Sequence, residues 1–410
     1  MLRVGICSWS NRSAQLVREL APSLAQLGAE FTAVSDPSVE AVAAGCAALE
    51  LDLAERGYAD FSRMLGSGAV DAVLVGSPMQ FHAAQTIEAL EHGVHVLCEV
   101  TACCSLEEAR AVVAAAARSS ARYMMAENYY YARDTLFIAG LVAAGRFGQP
   151  YYAEAEYLIY MRSRSTEWRR EHMVGRRGCT YATHVLSPVI AWFRAALPDD
   201  RIVSLSCVDP GSHYTDEQGE LYASDGAVMM CRMASGGLIK VRCDLVSARP
   251  GGGTRLVLQG TRGVFETTDG GMDGAGRISL LPPDEKDANA STEPKGAESQ
   301  ARAVHRGGMS WQALSDLQAQ EEARHETEES SAPPMDLVRM FSDFVALCRG
   351  GDGDESNGQE GELTGGLHGA MDLTLPGLIS ELSCEREGAW MDVPDSREWI
   401  LESERAAARM

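Results

Sequence analysis

Apolar positions recur at two different spacings along this chain, and the change between them divides it. In the first 127 residues, short continuous apolar runs alternate with stretches of helical periodicity. The runs at 2–7, 31–35, 71–76, 94–98 and 122–126 read as strands buried on both faces. Between them, residues 11–27 place Leu16, Leu20, Leu24 and Leu27 on one helical face and stop at Gly28, a residue suited to the position after a helix C-terminus. Residues 39–51 are Ala-rich, and residues 83–92 stop at Gly93. The helix predicted at 106–118 opens with Ser105 and Glu108, the pattern of a capping box. Strands separated by helices of this length predict right-handed βαβ units and a parallel sheet covered on both sides.

After Tyr129 the grammar changes. A helix over 133–144, closed by Gly145, leads into β-rich segments at 151–160, 202–208, 227–233, 237–245, 255–259 and 264–267. Alternation there predicts an open, largely antiparallel sheet with one face covered, hence a second, α+β domain over 128–410. Residues 284–330 and 350–361 are polar or Gly/Asp/Glu-rich and read as surface insertions. A helix over 335–348, behind Pro333 and Pro334, is expected to pack back on the fold.

Charge narrows the partners. Thirty-six basic against 58 acidic residues give a net charge of −22 over 410 residues, which speaks against nucleic acid and against an anionic membrane surface. No apolar run approaches the roughly 18 residues of a membrane span. The first ten residues, MLRVGICSWS, lack a charged, long-apolar leader pattern, so the expectation is a cytoplasmic protein. The eleven cysteines are odd in number, include the adjacent Cys103 and Cys104, and form neither a CxxC pair nor a zinc-type spacing. They read as reduced thiols, with no metal site. Only three of the basic residues are lysines, and residues 1–239 contain none.

The turn after the first strand is where a dinucleotide domain holds its pyrophosphate on close backbone amides. It reads Ser8-Trp9-Ser10-Asn11-Arg12-Ser13, with serine at each place of a GxGxxG pattern. Serine hydroxyls could donate to phosphate; a plain N-cap turn is the alternative. Trp9 stacks near the nucleotide or is a core residue. Asp36, ending the second strand, either holds the adenosine ribose hydroxyls or forms a turn before Pro37. Residues 161–177 carry Arg162, Arg164, Arg169, Arg170, Arg176 and Arg177 beside Trp168. In so acidic a chain this suggests recognition of an anionic group on substrate or cofactor; a solvated loop or subunit contact is the bland alternative.

Gly93-Val-His-Val-Leu-Cys-Glu99-Val100-Thr101, with Ser77-Pro78 and His82 after the third strand and Ala33-Val-Ser-Asp36-Pro37 after the second, resembles the Gfo/Idh/MocA oxidoreductase family. The resemblance implies a Rossmann domain followed by an open-sheet α/β domain, NAD or NADP as cofactor, a carbohydrate or cyclitol substrate, and a homo-oligomer formed through the exposed sheet face. It places Ser8, Trp9, Ser10, Asn11, Arg12, Asp36, Ser77, His82, Glu99 and Asn128 at the cofactor, and Trp168, Arg169, Arg170 and Tyr181 at the substrate. Typical dehydrogenases of the family have Glu-Lys-Pro where this chain has Glu99-Val100-Thr101, and an Asp four residues before the catalytic His where this chain has Thr180. Tyr181-Ala-Thr-His184-Val-Leu-Ser-Pro188 is instead similar to the NAD-dependent redox-neutral glycosidases of the α-N-acetylgalactosaminidase type, in which the matching Tyr and His are the catalytic pair. Glu127-Asn128-Tyr129 and Trp168-Arg169 agree with that subgroup.

From residue types alone, a His titrating near neutrality can take and return a proton. A Tyr needs a cation nearby to act as a base. The expectation is glycoside cleavage by oxidation, elimination, addition and reduction, with His184 and Tyr181 handling protons and NAD preferred to NADP. The alternatives are a net sugar or cyclitol dehydrogenase, or a non-catalytic sugar- or cofactor-binding paralogue.

Overall fold

The computed structural model describes residues 1–161, 166–216, 219–249, 253–268, 276–281, 310–325, 337–350 and 366–400. The first sheet is built from β1 (Leu2–Cys7), β2 (Ala29–Ser35), β3 (Gly57–Tyr58), β4 (Ala72–Val75), β5 (His95–Cys98) and β6 (Tyr123–Met125). Its order is β3-β2-β1-β4-β5-β6, and every neighbouring pair is parallel. Helices α1 (Asn11–Leu24), α2 (Val39–Ala48), α3 (Leu53–Arg56), α4 (Phe61–Gly66), α5 (His82–Glu91) and α6 (Leu106–Arg118) connect the strands. Half of the expected capping box forms, with Ser105 Oγ accepting from Glu108 N at 3.1 Å; the Glu108 carboxylate accepts from Cys104 N rather than from the cap residue. Because β1 lies between β2 and β4, the chain reverses its winding at β1. A crevice therefore opens at the carboxyl end of β1, where α1 begins.

The second sheet has nine strands in the order β14-β13-β12-β11-β7-β10-β9-β8-β15. They are β7 (Pro150–Leu158), β8 (Ile202–Val208), β9 (Ala227–Met233), β10 (Leu238–Asp244), β11 (Gly253–Gly260), β12 (Gly263–Thr267), β13 (Gly276–Leu280), β14 (Gln312–Ala313) and β15 (Met391–Asp392). Only the β7–β10 pair is parallel. In β9 and β10 alternate residues are buried, so one face is covered and the other carries Val208, Val228 and Leu238 outward. The covering layer includes α7 (Arg133–Ala143), α9 (Thr183–Ala196), α10 (Leu314–His325) and α12 (Leu367–Glu385); the short α8 (Glu167–Arg169) precedes α9, and α11 (Leu337–Cys348) packs elsewhere. Helix α9 is buried from Thr183 to Arg194. It is held by Trp192 Nε1 donating to Thr135 O at 3.0 Å and by an ion pair from Arg194 to Asp372 on α12.

One expectation about the later chain changes. Residues 310–325 fall in a segment read as a polar surface insertion, yet they form β14 and α10. Leu314, Leu317 and Gln318 are buried, and Gln318 donates to Asp134 on α7 at 2.8 Å. The rest of both expected insertions lies outside the described residues, apart from Gly350. Helix α11 packs on the first sheet's unit, not the second's. Its Leu337, Met340, Phe341, Phe344 and Val345 join Leu16, Leu20 and Leu24 of α1 in one cluster. Each such side chain contributes on the order of 1.5–3 kcal/mol when fully buried. Arg349 then donates to the carbonyls of Leu27 and Gly28, where Gly28 sits at φ +73°, the left-handed geometry that closes α1. No helix among the described residues is long and apolar enough to cross a membrane.

Candidate active site

The crevice at the end of β1 continues into a cleft of about 720 Å³ that runs from the first turn of α1 to the first turn of α9. At its outer end the serine turn is knitted together. Ser13 Oγ donates to Ser8 O at 2.7 Å, and Ser10 Oγ lies 3.1 Å from Gly76 O while accepting from Ser13 N. The hydroxyls are thus engaged within the turn, not turned toward a phosphate as the sequence allowed. Ser8 has φ +71°, a left-handed conformation that costs a non-glycine residue roughly 1–2 kcal/mol. A Cβ on Gly76 would come within 2.3 Å of Ser13 Oγ, so glycine is needed opposite the turn. The first turn of α1 carries no acid, which leaves its positive end available to an anion. Ser10, Asn11 and Arg12 line the cleft there.

Ser8, Trp9 and Asp36 do not line it. Trp9 packs over Gly45 and joins the cluster beneath α1 and α11, which is the core alternative. The Asp36 carboxylate accepts from Trp9 N and from Ser38 N, both at 2.9 Å, tying the serine turn to the end of β2. It does act as a turn residue, with lone pairs remaining for further donors.

The cleft's inner end is built around His184. Its Nδ1 lies 3.0 Å from Glu127 Oε1; a carboxylate only accepts, so the contact favours a proton on Nδ1, and in a neutral ring that leaves Nε2 as an acceptor. The ring stacks on Tyr129 at 4.4 Å, meets Tyr181 edge-on at 5.4 Å and lies 5.5 Å from Tyr157. Tyr181 precedes α9, in the turn before it, so the pair converges without helical spacing. Burial, then the charges of Glu99 and Glu127, push the Tyr181 phenol well above its usual value, with Arg12 opposing. A tyrosine base would need its pKa lowered; the surroundings of this phenol act the other way and favour its protonated form. Sequence reasoning passed over Glu127 as a site residue; its signal was an acid directly after the last buried strand.

Ser77, His82, Glu99 and Asn128 line the middle of the cleft. Glu99 accepts from Arg12 Nε at 2.8 Å, a contact the sequence did not suggest. His82 is fully enclosed, with Nδ1 2.8 Å from Thr101 O and Nε2 2.9 Å from Ser77 O. Two carbonyl acceptors demand two N–H donors, an imidazolium. Burial opposes that charge, but Cys98 and the two carbonyls outweigh it and raise the ring to about 9. His82 thus braces the loops bearing Ser77 and Glu99.

The arginine island comes apart. Trp168 and Arg169 line the cleft, with the guanidinium 4.4 Å above the indole, a cation–π contact. Arg170 begins a π-helical turn (Arg170–Val174) and is not among the lining residues. Arg176 pairs with Glu381 and Arg177 with Asp209, so these two hold structure together. Arg162 and Arg164 lie outside the described residues. The only lysine among the described residues, Lys240 on β10, is paired with Glu154 at 2.7 Å and is absent from the cleft. No group of side chains suited to a metal ion occurs among the described residues.

Comparison with known proteins agrees with this fold. Residues 3–127 match the family described as "Oxidoreductase family, NAD-binding Rossmann fold". The family matched is Gfo/Idh/MocA, and the match covers this domain. The whole chain shares its fold with solved structures. One is an inositol dehydrogenase homologue of Azotobacter vinelandii, complexed with NADH and myo-inositol, at TM-score 0.68 and 18% identity, covering 95% of this chain and 97% of that one. Another is a levoglucosan dehydrogenase complexed with NADH, at TM-score 0.69 and 16% identity, covering 96% and 99%. In sequence the chain is 29% identical over 307 residues to a glycosyl hydrolase family 109 protein of Saccharopolyspora erythraea, over 68% of this chain and 64% of that one. It is 28% identical over 224 residues to an alpha-N-acetylgalactosaminidase of Shewanella oneidensis, over 50% and 49%. The chain thus spans about half to two thirds of the length of these curated relatives.

Proposed function

We propose that the protein is an NAD-dependent, redox-neutral glycosidase of the cytoplasm. The observation that carries the proposal is the His184–Glu127 pair, set beside a protonated Tyr181 in a lysine-free cleft that opens at the N-terminus of α1. The first turn of α1, with Ser10, Asn11 and Arg12 and no acid, fits a pyrophosphate. Ser77, His82, Glu99 and Asn128 follow it toward His184, with Asp36 at the ribose end. NAD held there would supply reversible oxidation at one sugar carbon, making the adjacent C–H acidic.

The chain's own residues handle the protons. His184 Nε2 accepts the proton of the substrate hydroxyl, passes it to solvent and then accepts the proton of the acidified C–H, and its ring is held by Glu127. Tyr181 donates to oxygen on the same substrate, in keeping with its raised pKa. The two groups differ in the direction their surroundings favour, which assigns base and acid. Trp168 offers a sugar-stacking face, with Arg169 beside it for an anionic substituent; Arg170 would act only at the margin. The two-carboxylate arrangement of ordinary glycosidases is not required for this chemistry. All eleven cysteines are free thiols, in keeping with a reducing compartment. The exposed Val208, Val228 and Leu238 support a homo-oligomer across the outer sheet face.

Turnover of an aryl N-acetylgalactosaminide in heavy water tests the proposal. The released sugar should carry deuterium at the single carbon beside the oxidised one, and NADH should not accumulate. Stoichiometric NADH from a free sugar, without glycosidic cleavage or deuterium, would establish net dehydrogenation instead. Enzyme that releases no nicotinamide nucleotide on denaturation and binds none when it is added would establish the non-catalytic reading.

A further inference from the structure

We infer that Glu127 is a positioning residue that commits His184 to one tautomer, with the proton on Nδ1 and the lone pair of Nε2 facing the cleft. The carboxylate is almost wholly buried, and its two oxygens are used unequally. Oε1 accepts both from His184 Nδ1 at 3.0 Å and from Tyr129 N at 3.0 Å. Oε2 is buried with no partner among the described residues. Stability alone does not favour such a group. A buried carboxylate with an unpaired oxygen carries a desolvation cost, and an apolar side chain of similar volume would remove it. Buried polar atoms in native proteins are overwhelmingly paired, so the exception calls for a reason.

The geometry around the ring gives that reason. Glu127 ends the segment after β6, and the backbone N–H of Tyr129 fixes its Oε1 in place. The same oxygen then faces Nδ1 of a histidine 57 positions later. Tyr129 stacks on one face of the imidazole, while Tyr157 and Tyr181 approach at other angles. The ring is thus gripped by aromatic packing, but packing does not choose between two nitrogens. The charged group hydrogen-bonded to the ring is Glu127; Glu99 and Arg12, which act on Tyr181, are paired with each other. The tautomer choice therefore falls to Glu127. With the opposite tautomer, Nε2 would present a hydrogen to a substrate hydroxyl, and the histidine could not take its proton.

The inference rests on the proposed function only for its kinetic consequence, because the tautomer can be read without substrate. The protein is labelled with 15N-histidine, and the His184 imidazole is assigned by its loss in His184→Asn. At a pH where the ring is neutral, the wild-type nitrogens should show hydrogen on Nδ1 and none on Nε2. Glu127→Gln preserves size and can still accept from Tyr129 N, but its amide can also present N–H to Nδ1. The variant should therefore lose the single tautomer and show an Nε2–H population. A wild-type ring carrying its hydrogen on Nε2 would overturn the inference, as would a Gln variant that keeps the pure Nδ1–H form. In turnover of the aryl glycoside, Glu127→Gln should lower kcat by a factor on the order of 10²–10⁴ and change KM by less than about threefold. A matched fall in kcat and rise in KM would mark a merely structural role. If the tautomer is as expected but no glycoside is cleaved by the wild type, only the functional proposal falls.

Discussion

Arg12 Nε lies 2.8 Å from Glu99 Oε1, joining the first turn of α1 to the loop after β5 across the mouth of the cleft. The Glu99 side chain is 12% exposed and the Arg12 side chain 32%, so the pair is partly shielded from water. Removing the guanidinium leaves a carboxylate facing the place proposed for the pyrophosphate. Arg12→Gln should therefore weaken NAD binding by about 10- to 100-fold, the range of one lost charge-assisted hydrogen bond. Isothermal titration checks this. Unchanged affinity would make Arg12 a strut between two loops with no part in cofactor binding.

The serine turn divides into residues with opposite effects. Ser8 holds a left-handed backbone, whereas the Ser13 hydroxyl closes the turn onto Ser8 O. Ser8→Gly should raise stability by about 0.5–1 kcal/mol, the strain relieved less the extra entropy of glycine. Ser13→Gly should lower it by about 1 kcal/mol. Urea unfolding curves that move the same way for both would refute this division.

Asp36 should favour NAD over NADP, because its charge repels a 2′-phosphate and no Lys or Arg follows it before Arg56. Asp36→Asn keeps an acceptor for Trp9 N or Ser38 N while removing the charge. It should narrow the gap between the two cofactors by about tenfold or more. Wild-type protein that binds NADP more tightly than NAD would contradict the assignment.

His82 makes stability pH-dependent on the alkaline side. Its folded pKa of about 9 lies above the unfolded value of 6.5, so its contribution is complete below about pH 6.5 and fades as pH rises through 9. The size is on the order of 3 kcal/mol. His82→Gln should be less stable at pH 6 and should flatten the pH profile between 6.5 and 9. Parallel profiles for the two proteins would mean that the ring is neutral in the fold.

The parallel half was legible because its strands are continuous apolar runs and its helices stop at glycines such as Gly28 and Gly93, signals contained within a few residues. The pairing of Tyr181 and His184 was legible from the Tyr-x-Thr-His string that resembles the glycosidase subgroup, and not from helical spacing, since Tyr181 stands in the turn before α9. Glu127 was not, because its meaning depends on a partner 57 positions away. Arg176 and Arg177 looked free for an anion because their partners Glu381 and Asp209 lie 205 and 32 positions away. Helix α10 escaped notice because only Leu314, Leu317 and Gln318 of its described side chains are buried, too few in a polar stretch to show a period. The spent serine hydroxyls of the nucleotide turn depend on rotamers, on which residue identity is silent.

Helix α11 covers a face of α1 that was synthesised more than three hundred residues earlier. On the ribosome, the N-terminal sheet can form its strands as soon as they emerge. Leu16, Leu20 and Leu24 must nevertheless wait for Leu337, Phe341 and Phe344 before their apolar surface is covered. Domains commonly fold in the order in which they are made; here the first one is finished last. Until then the nascent chain carries an open greasy flank, the kind of surface a chaperone holds. A ribosome stalled before codon 337 should therefore display a first domain that is protease-sensitive around α1, and release of the completed chain should protect it.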